Sequence, residues 1–286
     1  MRLLSGLLLS LICLNLAMGD ALAQQGRRLP RAQFLPYGQQ AATGSALPRV
    51  SGVHLSDGLD RPTNQKGPAT PYPPGEPAVH GQLVRWSPKK MPLLVWISPG
   101  IKLPDCSSFP ELQNTRVDFL YQLLHSGMEN PFQGLTQAPG WTPQTNEVVA
   151  AGIEQWRDFQ NEGLFSYKFC ENPRDAHILV FFTDSFKDAT SPGGIAVGGN
   201  TCAKIFPVNS KFPQMPTVIE LSTMVNGTEE KMRAASAHEF GHALGIKAHS
   251  EYRDDIMFVD RVVTELSPAD KATIRWLYHQ VPQWEF

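Results

Sequence analysis

The sequence predicts an α+β domain. Three observations carry that expectation: short apolar runs of strand length, a helical apolar period that starts just after Thr142, and two capped helical segments near the end of the chain. With 286 residues and 42% hydrophobic content, the chain can bury a substantial core.

Ordered structure is expected to begin near Gly81. MPLLVWISPG supplies the first dense apolar run, a buried strand over residues 93–98 closed by Pro99 and Gly100. Residues 102–141 are polar and turn-rich, which marks an insertion with a short helix around residues 117–124. In TPQTNEVVAAGIEQWRDFQ, Thr142 can cap and Pro143 suits a first turn. Val149, Ile153 and Trp156 then recur at helical spacing, so an amphipathic helix is expected. FSYKF (165–169) and ILVFFT (178–183) read as strands, and VIELS (218–222) as a third after the Gly-rich SPGGIAVGGN. A helix should start near Thr228, with Glu229 and Glu230 where the helix dipole favours anions, and end at Gly245. In the last helix Ser267 and Asp270 have capping-box spacing, Pro268 lies between them, and Ile274 and Leu277 share one side.

Residues 24–80 are rich in Pro, Gly, Gln and Ser and lack an apolar period, so they cannot offset their ordering entropy by burial. They read either as a flexible linker or as a pro-segment covering an active site, and the folded domain as residues 81–286. Residues 1–23 have a basic start, an uncharged apolar run and small residues at Ala21 and Ala23. This is the pattern of a cleavable secretory signal, with a retained N-terminal anchor as the alternative, and it sets the expectation of a secreted or periplasmic protein. No stable membrane insertion is expected once the signal is removed. The net charge of −2 and the dispersed basic residues give no footprint for nucleic acid or anionic lipid.

Cys13 would leave with the signal, and Cys106, Cys170 and Cys202 would remain, an odd number that cannot pair completely within one chain. In an oxidising compartment a bridge between Cys170 and Cys202 is expected, because both lie in the part that reads as most compact. Asn226-Gly227-Thr228 forms a glycosylation sequon by pattern.

The chemistry concentrates in HEFGHALGIKAHS, residues 238–250. His238 and His242 are four apart on the expected helix, so both imidazoles leave one face and can meet one ion. Glu239 stands beside them, and a carboxylate there can take a proton from a water molecule and pass it to a leaving amine. Two histidines making ordinary helix contacts are the bland alternative. Catalytic zinc usually takes three protein ligands, and His249 is the leading third candidate. Were the helix to continue, His249 would lie about 10.5 Å further along the axis at roughly 1.5 Å per residue. Tetrahedral ligation needs ring nitrogens only about 3.4 Å apart, so the chain must fold back, and Gly245 can adopt the left-handed conformation for that turn.

These residues resemble the metzincins, and within them the matrixin-like zinc peptidases, whose signature is His-Glu-x-x-His-x-x-Gly-x-x-His followed by a methionine turn. His238, Glu239, His242 and Gly245 match it. Ile246, Lys247 and Ala248 give a three-residue spacer before His249 where the usual pattern has two. Ser250 follows as in matrixins, and Met257 lies at the matrixin distance within DDIMF. The resemblance implies that Met257 is an apolar floor beneath the metal; an ordinary core methionine would pack alike. Val259 stands where astacin-like and serralysin-like relatives carry a tyrosine ligand, so none is expected. LSPADKATIRWLY is similar to the closing helix of bacterial matrixin-like domains.

The resemblance implies a zincin-type fold, a twisted mixed β-sheet packed on the helix of residues 228–244, with a small C-terminal subdomain after Gly245. It also implies a substrate-binding edge strand, for which SPGGIAVGG with Ile195 and Val197 is the candidate; a plain Gly-rich loop is the alternative. The expected function is a secreted zinc endopeptidase acting on proteins or peptides, with Glu239 as general base and Zn2+ on His238, His242 and His249. The rivals are a non-catalytic surface-binding or matrix-binding module and a zinc hydrolase of non-peptide bonds. Ca2+ is common in the family, but no Asp/Asn-rich loop has a convincing ligand spacing, and Asp254, Asp255 and Asp260 read as solvated or structural. No Pro-Arg-Cys-Gly latency motif stands between residues 24 and 81.

Overall fold

Unbroken apolar runs such as ILVFFT suit strands that are covered on both faces, because alternate residues point to opposite sides. The computed structural model describes residues 69–74, 83–187, 189 and 196–286. The expectations for the signal segment, most of the Pro/Gly-rich stretch and Ile195 lie outside the described residues.

In chain order the elements are β1 (Val84–Arg85), β2 (Leu93–Lys102), α1 (Phe109–Leu124), α2 (Pro143–Ile153), β3 (Tyr167–Phe169), β4 (Ile178–Thr183) and β5 (Gly199–Cys202). They continue with β6 (Phe206–Pro207), β7 (Thr217–Ser222), α3 (Glu229–Ala243), α4 (Pro268–His279) and β8 (Trp284–Glu285). The arrangement is α+β with a mixed five-stranded sheet of order β3-β2-β4-β7-β5; all neighbours are parallel except β5, which runs antiparallel to β7 at the edge. A small second sheet, β1-β8-β6, joins the last strand to the first described one.

The strand residues divide between two apolar clusters. Val95, Ile178, Val180, Phe182, Ile219 and Leu221 pack with Val149 and Ile153 of α2 and with Ala235, Ala237 and Phe240 of α3. Trp96, Leu179, Phe181 and Val218 pack on the other side with Leu112, Val117, Leu120 and Leu124 of α1. The result is three layers, with the sheet sandwiched between helices. Each fully buried Leu, Ile or Phe contributes about 1.5–3 kcal/mol of transfer free energy, so both faces of the sheet stabilise it.

The caps sit where their residue types require. A reciprocal box joins Thr142 and Thr145 at α2, and a second joins Ser267 and Asp270 at α4. Two elements run longer than the sequence suggests. Helix α1 starts at its Ser108 cap rather than near residue 117, because the polar first turns PELQNT lie outside the apolar period that marks the later ones. Strand β2 does not close at Pro99 and Gly100. Its register shifts between Ile97 and Lys102, where Lys102 still pairs with Phe182, and its last residues also bond to residues 136–138.

One expectation is corrected. Cys170 and Cys202 form no bridge, and Cys106 is also free. Cys170 follows β3 and Cys202 ends β5, the two opposite edges of the sheet; four strand spacings of about 4.8 Å separate them, and a disulfide needs Cα atoms within about 7 Å. The sequon residue Asn226 is buried, and its amide donates to the Gly198 carbonyl at 2.6 Å and the Ser222 carbonyl at 2.9 Å, so it holds a loop. The segment after Gly245 has no separate core: Ile246, Ile256, Met257, Ile274, Leu277 and Tyr278 belong to the cluster that also holds α2 and α3.

Residues 69–74 lie within the stretch whose composition suggests a linker, yet Tyr72 packs against the main core and hydrogen-bonds to Asp270 and Thr273 of α4. Among the described residues, no helix is long and apolar enough to cross a membrane.

Candidate metal centre

Helix α3 begins at Thr228, whose hydroxyl accepts from the Lys231 amide at 3.3 Å, and carries Glu229 and Glu230 in its first turn. Every residue from 234 to 243 is buried, including Ser236, His238, Glu239 and His242. Polar groups at the centre of a covered helix cost stability unless they are paired, so their presence points to a function.

The helix stops at Gly245, whose φ of +115° is left-handed and where a Cβ would lie 2.3 Å from the Val84 carbonyl oxygen. Its terminal carbonyls are satisfied from outside: Trp86 Nε1 donates to Ala243 at 2.7 Å and the Tyr278 hydroxyl to Leu244 at 3.0 Å. The chain then doubles back and brings His249 to the two helix histidines. One ligand atom from each of His238, His242 and His249 lies within 4.8 Å of the others, a group that could hold a metal ion.

The ring tautomers follow from their partners. Nδ1 of His238 faces the Ile256 carbonyl at 2.7 Å and Nδ1 of His242 faces the Ile246 carbonyl at 2.6 Å. A carbonyl only accepts, so both Nδ1 atoms carry hydrogen and both Nε2 atoms present lone pairs. Those two Nε2 atoms are 3.1 Å apart. Lone pairs facing each other repel unless a cation sits between them. A proton is disfavoured there: burial and then His242 hold His238 well below the usual histidine range, and burial followed by His249 holds His242 at about 3. His249 is lowered to about 4 by desolvation and then by Arg261. All three rings are neutral near pH 7, the form in which imidazole ligates a metal.

Glu239 is buried beside this triad, and Thr201 donates to its Oε2 at 2.8 Å while Arg261 Nη1 lies 3.5 Å from Oε1. Burial raises its pKa to about 7, with Arg261 and then Thr201 pulling it back. Strand β5 leaves room for this carboxylate at Gly199, where a Cβ would stand 2.4 Å from Oε1. The site therefore combines a three-nitrogen donor set with an adjacent carboxylate able to exchange a proton near neutrality.

Met257 is fully buried, and its sulfur lies so close under Gly241 that a Cβ there would meet it at 2.5 Å. The turn that carries it is tied to His249's neighbour, since the Ser250 amide donates to the Met257 carbonyl at 2.9 Å. Asp255 is buried and accepts from the Ser250 hydroxyl, whereas Asp260 pairs with Arg253 at 3.7 Å. His279 bonds to its own helix at Arg275. The antiparallel edge strand is β5, so among the described residues of the SPGGIAVGG segment (196–199) the final glycine, Gly199, is in the strand, and Val197 precedes it. Thr201 and Arg261 lie outside the motif, 38 and 22 residues from Glu239, and no spacing signals them. The sequence matches no protein-family model and no curated protein.

Proposed function

We propose that this protein is a secreted or periplasmic zinc-dependent endopeptidase, matrixin-like within the metzincins. The observation that carries the reading is the pair of Nε2 lone pairs held 3.1 Å apart, with His249 completing the triad and a buried carboxylate on the next residue. Three neutral imidazoles and no thiolate suit zinc, and three protein ligands rather than four leave a coordination position for chemistry. A mixed sheet covering the helix that carries the triad supports a zincin-type fold.

His238, His242 and His249 would hold the ion, which when bound supplies Lewis acidity to the scissile carbonyl and to a water molecule. Glu239 accepts the proton of the attacking water and delivers it to the leaving amine. Its raised pKa suits both halves of that exchange. Arg261 and Thr201 keep the carboxylate oriented and ionisable. The edge strand β5, next to Glu239, would align an extended peptide by backbone hydrogen bonds, which favours proteins or peptides as substrates.

The test is Glu239→Ala. It should bind one equivalent of zinc as the wild type does while losing nearly all hydrolysis of a denatured-protein substrate. Equal turnover by the two proteins would remove Glu239 as base, and a wild type that binds zinc but cleaves nothing would favour a non-catalytic binding module.

A further inference from the structure

The two loops that complete the triad are held by a segment far upstream. The Pro74 carbonyl accepts from both the Lys247 amide at 2.6 Å and the Ala248 amide at 3.2 Å, the two residues directly before His249. Two positions earlier, the Tyr72 hydroxyl donates to Asp270 Oδ1 at 2.7 Å, and the Tyr72 amide donates to Thr273 Oγ1 at 3.0 Å. Asp270 is fully buried and takes the Ile256 amide on Oδ2 at 2.8 Å and the Met257 amide on Oδ1 at 3.4 Å. Ile256 is the residue whose carbonyl orients the His238 ring.

We propose that residues 72–74 form a positioning strap for the metal centre. Pro74 pins the long spacer that delivers His249, and Tyr72, through Asp270, pins the turn that orients His238. The inference rests on reading the histidines as metal ligands. Its physical basis is that ligands on loops bind tightly only when the groups behind them are fixed; loss of such supports typically costs 10–100-fold in metal affinity. The spacer from Gly245 to His249 is one residue longer than the matrixin pattern, and its Lys247 and Ala248 amides find their acceptor in the strap rather than within the loop. The catalytic unit therefore reaches upstream to Tyr72, and maturation that preserves the site must cut before that residue.

The experiment compares the full chain with Tyr72→Ala, Tyr72→Phe and, as a destabilised control remote from the site, Leu112→Ala. Amide hydrogen exchange of the metal-free proteins reports on peptides covering residues 246–250 and 255–258, and zinc release to excess chelator reports on the loaded ones. Tyr72→Ala should accelerate exchange in both peptides and speed zinc release about tenfold or more. Tyr72→Phe, which keeps the ring but not the hydroxyl, should loosen mainly the 255–258 peptide, and Leu112→Ala should change neither. Unchanged exchange and release in Tyr72→Ala, or equal acceleration in Leu112→Ala, overturns the strap. Should the wild type take up no zinc, the ligand reading fails by itself, and the exchange comparison still decides whether the strap holds the loops.

Discussion

In the proposed mechanism Glu239 is the residue on which the chemistry turns, and two opposing effects set its behaviour. Burial raises its pKa to about 7, while the Arg261 charge lowers it. A bound metal ion would act in the same direction as Arg261, favouring the carboxylate. A general base works deprotonated, so hydrolysis should rise with pH as Glu239 ionises. Arg261→Ala removes the opposing cation and should move that acid limb to higher pH; a pH–rate profile of the variant checks this, and an unmoved limb would show that Arg261 does not tune the base. The third ligand is testable in the same spirit. His249→Ala should lower zinc affinity by well over tenfold, whereas His279→Ala, at a ring bonded only to its own helix, should leave it unchanged in a competition titration with a chelator.

At the scale of elements, the turn after α3 decides whether the triad forms. Gly245→Ala would place a Cβ 2.3 Å from the Val84 carbonyl in a backbone of φ +115°. Strain of about 1–3 kcal/mol plus the clash should lower the melting temperature and weaken zinc binding together, because the same turn ends the helix and aims His249. Much of this element was legible in the sequence. The cap at Thr228, the histidine pair four apart and the glycine stop are local signals, and all occupy the positions their spacing implied. Helix α1 was half legible: its apolar later turns announced it, its polar first turns did not.

At the scale of the whole molecule, a buried ion pair ties α1 to the sheet. Arg116 of α1 meets Glu220 of β7 at 2.7 Å with side-chain exposures of 4% and 2%. Arg116→Met should cost about 3–5 kcal/mol by stranding a buried carboxylate, whereas Arg116→Met with Glu220→Met should cost far less. Urea unfolding of the two variants makes the comparison. Nothing near either residue in sequence hinted at this pair, since a polar residue in a strand or a helix does not name its partner.

The sequence by itself determined four of the five strands of the main sheet, the capped starts of α2 and α4, the helix that carries His238, Glu239 and His242, and the need for a chain reversal at Gly245, because each is written in spacings of a few residues. Only the tertiary structure decided that His249 closes the triad, that Cys170 and Cys202 lie at opposite sheet edges, and that Thr201, Arg261, Asp270 and Tyr72 surround the site. Those relations join residues up to 201 positions apart. Periodicity records which face of its own element a side chain occupies; which distant group it meets there is set by how the layers pack.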